Sequence, residues 1–251
     1  MDLEIGECYK ALSIRHWADD MIAAQDGKSI GYLGYRPLKI DSHNRYFLAE
    51  TWHSKSKFQE TKFIFPNAPS IPITVNMGMR MPGWYDISDF GDLANRTDDE
   101  AGILQSQKVF HNLIAEEIKA GIPSERIVLG GFSQGGAMSL LSGITCPTKL
   151  GGIFGLSCYL VLQGKLRDMV PEGSPNKDTP IFMGHGDSDP LVRLPWAQMT
   201  AEKLKEWGWS VDLKTYRGVP HSASEEEIDD LEAYVKGRIP DLGDKAGSGP
   251  S

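Results

Sequence analysis

Arg126-Ile127-Val128-Leu129-Gly130-Gly131-Phe132-Ser133-Gln134-Gly135-Gly136 decides how the rest of the chain is read. A short apolar run, 126–129, ends in two glycines, and a serine follows between Gly131 and Gly135. This is G-x-S-x-G between a strand and a helix. Such a turn lifts a serine above the sheet, and the flanking glycines let neighbouring backbone come close. It also aims Ser133 at the first N–H groups of the next helix, which can hold an oxyanion. With Gly and Ser each near ~7% of residues, the pattern arises by chance in roughly one chain in ten of this length. The preceding strand and the small residues Gly136, Ala137 and Ser139 set it apart from a glycine-rich turn that merely closes a strand.

Working outward, further apolar runs read as strands: 62–65, closed by Pro66-Asn67-Ala68-Pro69, then 152–160, 180–184 and 211–216. Short continuous runs of this kind suit a parallel sheet buried on both faces. Helical patterns lie between them. Thr97-x-x-Glu100 reads as a capping box, with Asp98 and Asp99 favouring the helix dipole. The helix it opens carries Ile103, Phe110, Leu113, Ile114 and Ile118 on one side and stops at Gly121. A second helix, 197–207, stops at Gly208. The last begins near Ser224, with Glu225, Glu226 and Glu227 in its first turn, and buries Ile228, Leu231 and Val235. Alternating strands and helices predict an α/β fold, a mostly parallel central sheet flanked by helices, with chemistry at the carboxyl ends of the strands.

Composition bounds the alternatives. The 251 residues are 40% hydrophobic and 24% charged, which excludes a disordered chain and gives enough material for one large domain or two small ones. The net charge of −8 argues against a nucleic-acid partner, which needs clustered Lys and Arg. The lysines of 55–62 read as solvated surface. No apolar run reaches 18 residues, so stable membrane insertion is not expected. Cys8, Cys146 and Cys158 show no metal or disulfide spacing and suit free thiols in a reducing compartment. The acidic start, Met1-Asp2-Leu3-Glu4, does not read as a secretory signal, and Asn95-Arg96-Thr97 is then a chance glycosylation match. The expected location is cytoplasmic, with the nucleus also open to it.

A serine needs a base, and the base an orienting acid. In this kind of sheet the chain order is Ser, then Asp or Glu, then His. Two histidines follow Ser133. His185 heads His185-Gly186-Asp187-Ser188-Asp189, just past a strand, and His221 lies between the last strand and the last helix. Order selects His221 as the base and leaves Asp187 or Asp189 as its partner. Asp189 is preferred because it lies further past the strand end, on a loop that Pro190 stiffens. Asp187 and His185 are expected to fix that loop.

These stretches resemble the acyl-protein thioesterase and lysophospholipase group of α/β-hydrolases. The resemblance rests on Phe63-Ile64-Phe65-Pro66-Asn67-Ala68-Pro69, Met81-Pro82-Gly83-Trp84-Tyr85-Asp86-Ile87, the stretch 126–136, His185 through Val192, and Thr215-Tyr216 to His221. It covers about residues 47–238. It implies a serine hydrolase that needs no metal or organic cofactor and cleaves acyl thioesters, notably S-palmitoyl groups on proteins, with lysophospholipids and carboxylic esters as further substrates. It carries over Ser133 as nucleophile, Asp189 as acid, His221 as base and the Gln134 backbone N–H as oxyanion donor. It also implies an acyl-channel loop in 72–84, with Met79, Met81 and Trp84 as substrate-binding residues beside Met77. Ordinary core packing suits methionines equally well. Substrate partners would be S-acylated proteins or lipid esters; the oligomeric state is unspecified.

The resemblance stops at the front. The family's His-Gly-Leu-Gly-Asp loop, which gives a second oxyanion donor after a central strand, has no match before residue 60. Gly31-Tyr32-Leu33-Gly34 is a faint echo. Residues 1–45 therefore read as an atypical N-terminal segment, 46–240 as the hydrolase domain and 241–251 as a disordered tail. Within the first segment, 8–23 reads as an amphipathic helix with Leu12, Trp17 and Met21 on its apolar side. A foreign N-terminus from mis-splicing or truncation would explain the abrupt change, and an intact reading frame in the transcript would exclude it. Two other readings stay open: a catalytically impaired hydrolase-fold protein that binds acyl chains or a partner, and a small-molecule carboxylesterase.

Overall fold

The computed structural model describes residues 20–25, 52, 55–58, 60–89, 91 and 97–240. The readings made for Cys8, for Gly31-Tyr32-Leu33-Gly34 and for the tail at 241–251 lie outside these residues. A six-stranded sheet is built from β1 (Asp20–Gln25), β2 (Thr61–Ile64), β5 (Ile127–Phe132), β6 (Gly152–Leu156), β7 (Ile181–Gly186) and β8 (Val211–Tyr216). Their order across the sheet is β2-β1-β5-β6-β7-β8. A separate two-stranded hairpin joins β3 (Ser70–Ile73) to β4 (Met79–Pro82). The helices are α1 (Glu100–Lys119), α2 (Gln134–Ile144), the short α3 (Leu166–Met169), α4 (Leu194–Glu206) and α5 (Glu225–Arg238).

The four strands from β5 to β8 are parallel, as expected for crossover connections through helices. Every residue of β5, β6 and β7 is buried. Their side chains alternate between two cores, as the period of a strand requires. Ile127, Leu129, Ile153, Ile181 and Met183 enter one core, shared with residues of α1, α2 and α4. Val128, Phe132, Phe154, Leu156 and Phe182 enter the other, shared with Leu231 and Val235 of α5. Burying such side chains contributes roughly 1.5–3 kcal/mol each.

Three expectations are corrected. Residues 20–23, read as the end of an amphipathic helix, lie in β1, which pairs antiparallel with both β2 and β5. The gap between those two strands offers two ladders of backbone hydrogen bonds, and pairing there overrides local periodicity. The strand read as 152–160 ends at Leu156, because Ser157 turns with φ 45° and sends its N–H to the Gly184 carbonyl. The cap of α1 is Asp99 rather than Thr97. The Asp99 carboxylate accepts from Gly102 N at 3.0 Å and also from Asp86 N at 3.0 Å, a second bond that a threonine at 97 does not make. The cap expected for α5 is present: Ser224 Oγ accepts from Glu227 N. Leu231 and Val235 are buried as expected, while Ile228 is only half-buried. Among the described residues no helix is long and apolar enough to cross a membrane.

Candidate active site

The serine turn is built by close backbone approach. Ser133 has φ 54° and ψ −120°, a conformation rarely adopted outside glycine, and its N–H is held by the Leu156 carbonyl at 2.8 Å. Gly136 permits the tight exit, since a Cβ there would stand 2.9 Å from the Gly131 carbonyl and 2.9 Å from Cys158 Cβ. Gln134 is the first residue of α2. Its backbone N–H is among the donors a helix start leaves without an intrahelical acceptor, next to the serine, where an oxyanion would form.

The Gln134 side chain has a separate task that sequence did not reveal. Its Oε1 accepts from Trp84 N and its Nε2 donates to Tyr85 O, both at 2.7 Å. The buried amide thus fastens the 84–85 segment to the start of α2. Trp84 is 2% exposed and packs edge-on against Phe110, so it is a core residue. It also borders a cleft of about 460 Å³ with Pro69, Ile71, Pro72 and Val109. Met79 is 51% exposed on β4, and Met77, with φ 54°, is 76% exposed at the hairpin turn. Met81 is half-buried and accepts at Sδ from Asn76. Of the residues read as substrate-binding, two therefore lie on the projecting hairpin and one in the core beneath it.

Asp189 and His221 arrive on the loops after β7 and β8. The Asp187 N–H donates to the Tyr216 carbonyl and the Ser188 N–H to the Val219 carbonyl. The Gly218 N–H reaches the Asp187 carboxylate at 2.6 Å. Gly186 lets the loops meet, as a Cβ there would fall 2.1 Å from Val219 O. Asp187 therefore ties the two loops together rather than orienting the histidine. His185 is fully buried, and its Nε2 donates to the Val192 carbonyl at 2.7 Å, anchoring the Asp189 loop as read from sequence. Burial pulls the His185 pKa below its ordinary value, which keeps the ring neutral.

These loops bring the three distant side chains into line. Asp189 Oδ1 accepts from the Leu191 and Val192 N–H groups, both at 2.9 Å, which fixes the carboxylate. Asp189 Oδ2 lies 2.7 Å from His221 Nδ1, and His221 Nε2 lies 3.0 Å from Ser133 Oγ. An ionised carboxylate only accepts, so Nδ1 carries the proton and the Nε2 lone pair faces the serine hydroxyl. Phe132 packs on the imidazole with ring centroids 4.8 Å apart and limits its tilt. Its adjacency to Ser133 could have signalled this, but the contact depends on how the last loop folds back.

A serine raised on a strand–turn–helix at the carboxyl edge of a parallel sheet, with the loops of two later strands closing over it, defines the α/β-hydrolase class. Within that class, the family model described as phospholipase/carboxylesterase matches residues 41–239. Acyl-protein thioesterase 1 of Neurospora crassa is 52% identical over 200 residues, covering 78% of this chain and 82% of that protein. The protein of the same name from Kluyveromyces lactis is 44% identical, covering 84% of this chain and 92% of that one. Among solved structures, Arabidopsis thaliana SOBER1 superposes with a TM-score of 0.66 at 34% identity, over 70% of this chain and 83% of that one. Zea mays acyl-protein thioesterase 2 gives 0.64 at 26% identity, over 76% and 88%. The chain belongs to the phospholipase/carboxylesterase family and is a hydrolase.

Proposed function

We propose that this enzyme is a serine hydrolase of acyl thioesters, acting on S-acylated proteins such as those carrying S-palmitoyl cysteine. The observation that carries the chemistry is the continuous path from Asp189 through His221 to Ser133, with heavy-atom separations of 2.7 and 3.0 Å. The substrate class follows from the fungal relatives named acyl-protein thioesterase 1. In the proposed cycle His221 Nε2 takes the Ser133 proton as Oγ attacks the thioester carbonyl. Asp189 stabilises the imidazolium that forms and holds its tautomer. The Gln134 N–H, at the positive end of α2, donates a hydrogen bond to the oxyanion. Collapse of the tetrahedral intermediate expels the thiolate, which takes the proton from His221. Water activated by the same ring then releases the fatty acid and restores Ser133. The exposed methionines of the β3–β4 hairpin supply a polarisable surface for the acyl chain.

A carboxylesterase acting on small esters uses the same three residues, and the family's description favours it as the second reading. Turnover of a palmitoyl thioester and of a short-chain aryl ester, measured on wild type and Ser133→Ala, tests both. The expected result is a higher kcat/KM for the thioester and a loss of about 10⁴-fold or more in the variant. Preference for the short ester supports the second reading. Undiminished turnover by Ser133→Ala contradicts both.

A further inference from the structure

Behind the site lies a carboxyl group that the proposed cycle does not use. Glu227, in the first turn of α5, is fully buried, and neither carboxyl oxygen has a well-formed hydrogen bond among the described residues. Ser224 Oγ caps the helix through the Glu227 backbone N–H, and the Ser224 backbone N–H is the one donor that favours the Glu227 carboxylate. The fold nevertheless makes room for the group. A Cβ on Gly184 of β7 would sit 2.4 Å from Glu227 Oε1, so the carboxyl rests directly on the strand that leads to His185 and Asp189. Buried polar groups without partners are rare and destabilising, and they gather where charge serves a reaction.

Its surroundings are those of the triad. Asp189, on the loop after β7, and Asp230, on α5 itself, bring their negative charges to bear on it. Cys158, following β6, and Tyr216, at the end of β8, both feel its charge, and each is pushed upward mainly by burial. Cys158 Sγ in turn would lie 3.0 Å from a Cβ on Gly136, in the serine turn. His185, next to Asp189 with Nε2 3.7 Å from Oδ2, is neutral and offers no cation. The described charges facing Glu227 are therefore anionic, and burial with these neighbours pushes its pKa up to about 7, opposed by the Ser224 backbone N–H.

Resting on the hydrolase reading above, we propose that Glu227 is a positioning residue that acts through the Asp189–His221 pair. Its carboxylate adds negative potential behind Asp189 and so favours the imidazolium that forms as Ser133 attacks. In its neutral form it adds nothing. The enzyme then gains rate when Glu227 ionises, beyond the gain from deprotonating His221 itself.

The test compares wild type and Glu227→Gln, nearly equal in shape, in kcat/KM for a p-nitrophenyl ester between about pH 5.5 and 9 at constant ionic strength. Wild type is expected to exceed the variant roughly three- to tenfold near pH 8.5 and to converge with it below about pH 6, the size of one partly screened charge. A carboxyl that merely fills space gives profiles that coincide or run parallel at a constant ratio, and either overturns the proposal. Should the variant fail to fold, ¹³C-carboxyl titration of glutamate-labelled wild type decides. One glutamate titrating near pH 7 supports the proposal, and none titrating above about pH 6 overturns it. Labelling of wild type by a fluorophosphonate is run alongside. Labelled protein with coincident profiles removes this inference alone, whereas unlabelled, inactive wild type removes the hydrolase reading and this inference together.

Discussion

The two sides of the sheet are held together differently. From β5 to β8 the strands are parallel, wholly apolar in β5 and β6, and fitted to one another through glycines. Gly130 lies under the Phe154 ring, with a Cβ there only 2.0 Å from a ring carbon, and Gly143 of α2 lies against Ile153. On the β2 side the joints are long side chains. Trp52, Phe58, Phe63 and Phe65 pack ring against ring with centroids 4.8–6.4 Å apart, tilted or edge-on except for the stacked pair Phe63–Phe65. Lys62 of β2 grips Glu117 of α1 at 2.7 and 2.9 Å, and Lys57 reaches Glu232 of α5 at 2.7 Å. The difference teaches that the side carrying Ser133, Asp189 and His221 is specified by backbone contact, which tolerates almost no added volume. The flank is specified by side-chain pairs that can be removed one at a time.

Substitutions in the two regions should therefore differ in size and kind. Gly130→Ala forces the buried Phe154 ring out of its place and should lower stability by about 2–3 kcal/mol, read from urea unfolding with an unchanged m-value. A loss below about 0.5 kcal/mol would show that the glycine packing is looser than the geometry requires. Lys62→Ala leaves the buried Glu117 carboxylate without its cation and should cost about 1–2 kcal/mol, less at high salt, with kcat/KM nearly unchanged. A larger loss in Lys62→Ala than in Gly130→Ala would invert the contrast.

The same contrast explains what could be read in the sequence. The strands β5, β6 and β7 announce themselves by apolar runs that carry glycine, whereas β8, Val211-Asp212-Leu213-Lys214-Thr215-Tyr216, mixes apolar with polar residues. Chain order and strand-end position single out His221, and they leave Asp187 and Asp189 to be separated by loop placement. The structure brings Asp189 to the histidine and gives Asp187 the task of joining the loops. Features that depend on pairing across the fold stayed hidden. The helix pattern at 20–23 yields to the gap between β2 and β5. Thr97 loses the cap of α1 to Asp99, which serves Asp86 as well. The Gln134 side chain, the support of Phe132 beneath His221 and the burial of Glu227 arise only when distant segments meet. Glu227 in particular reads as one of three acidic residues in a helix's first turn; only the fold separates it from exposed Glu225 and Glu226.

The most direct measurement is the mass of the intact protein after exposure to a fluorophosphonate, followed by peptide mapping. An imidazole held by Asp189 and aligned on the serine should give one adduct per chain, on Ser133, and Ser133→Ala should give none. No adduct on wild type, or an adduct that persists in Ser133→Ala, would contradict an activated nucleophile at this turn.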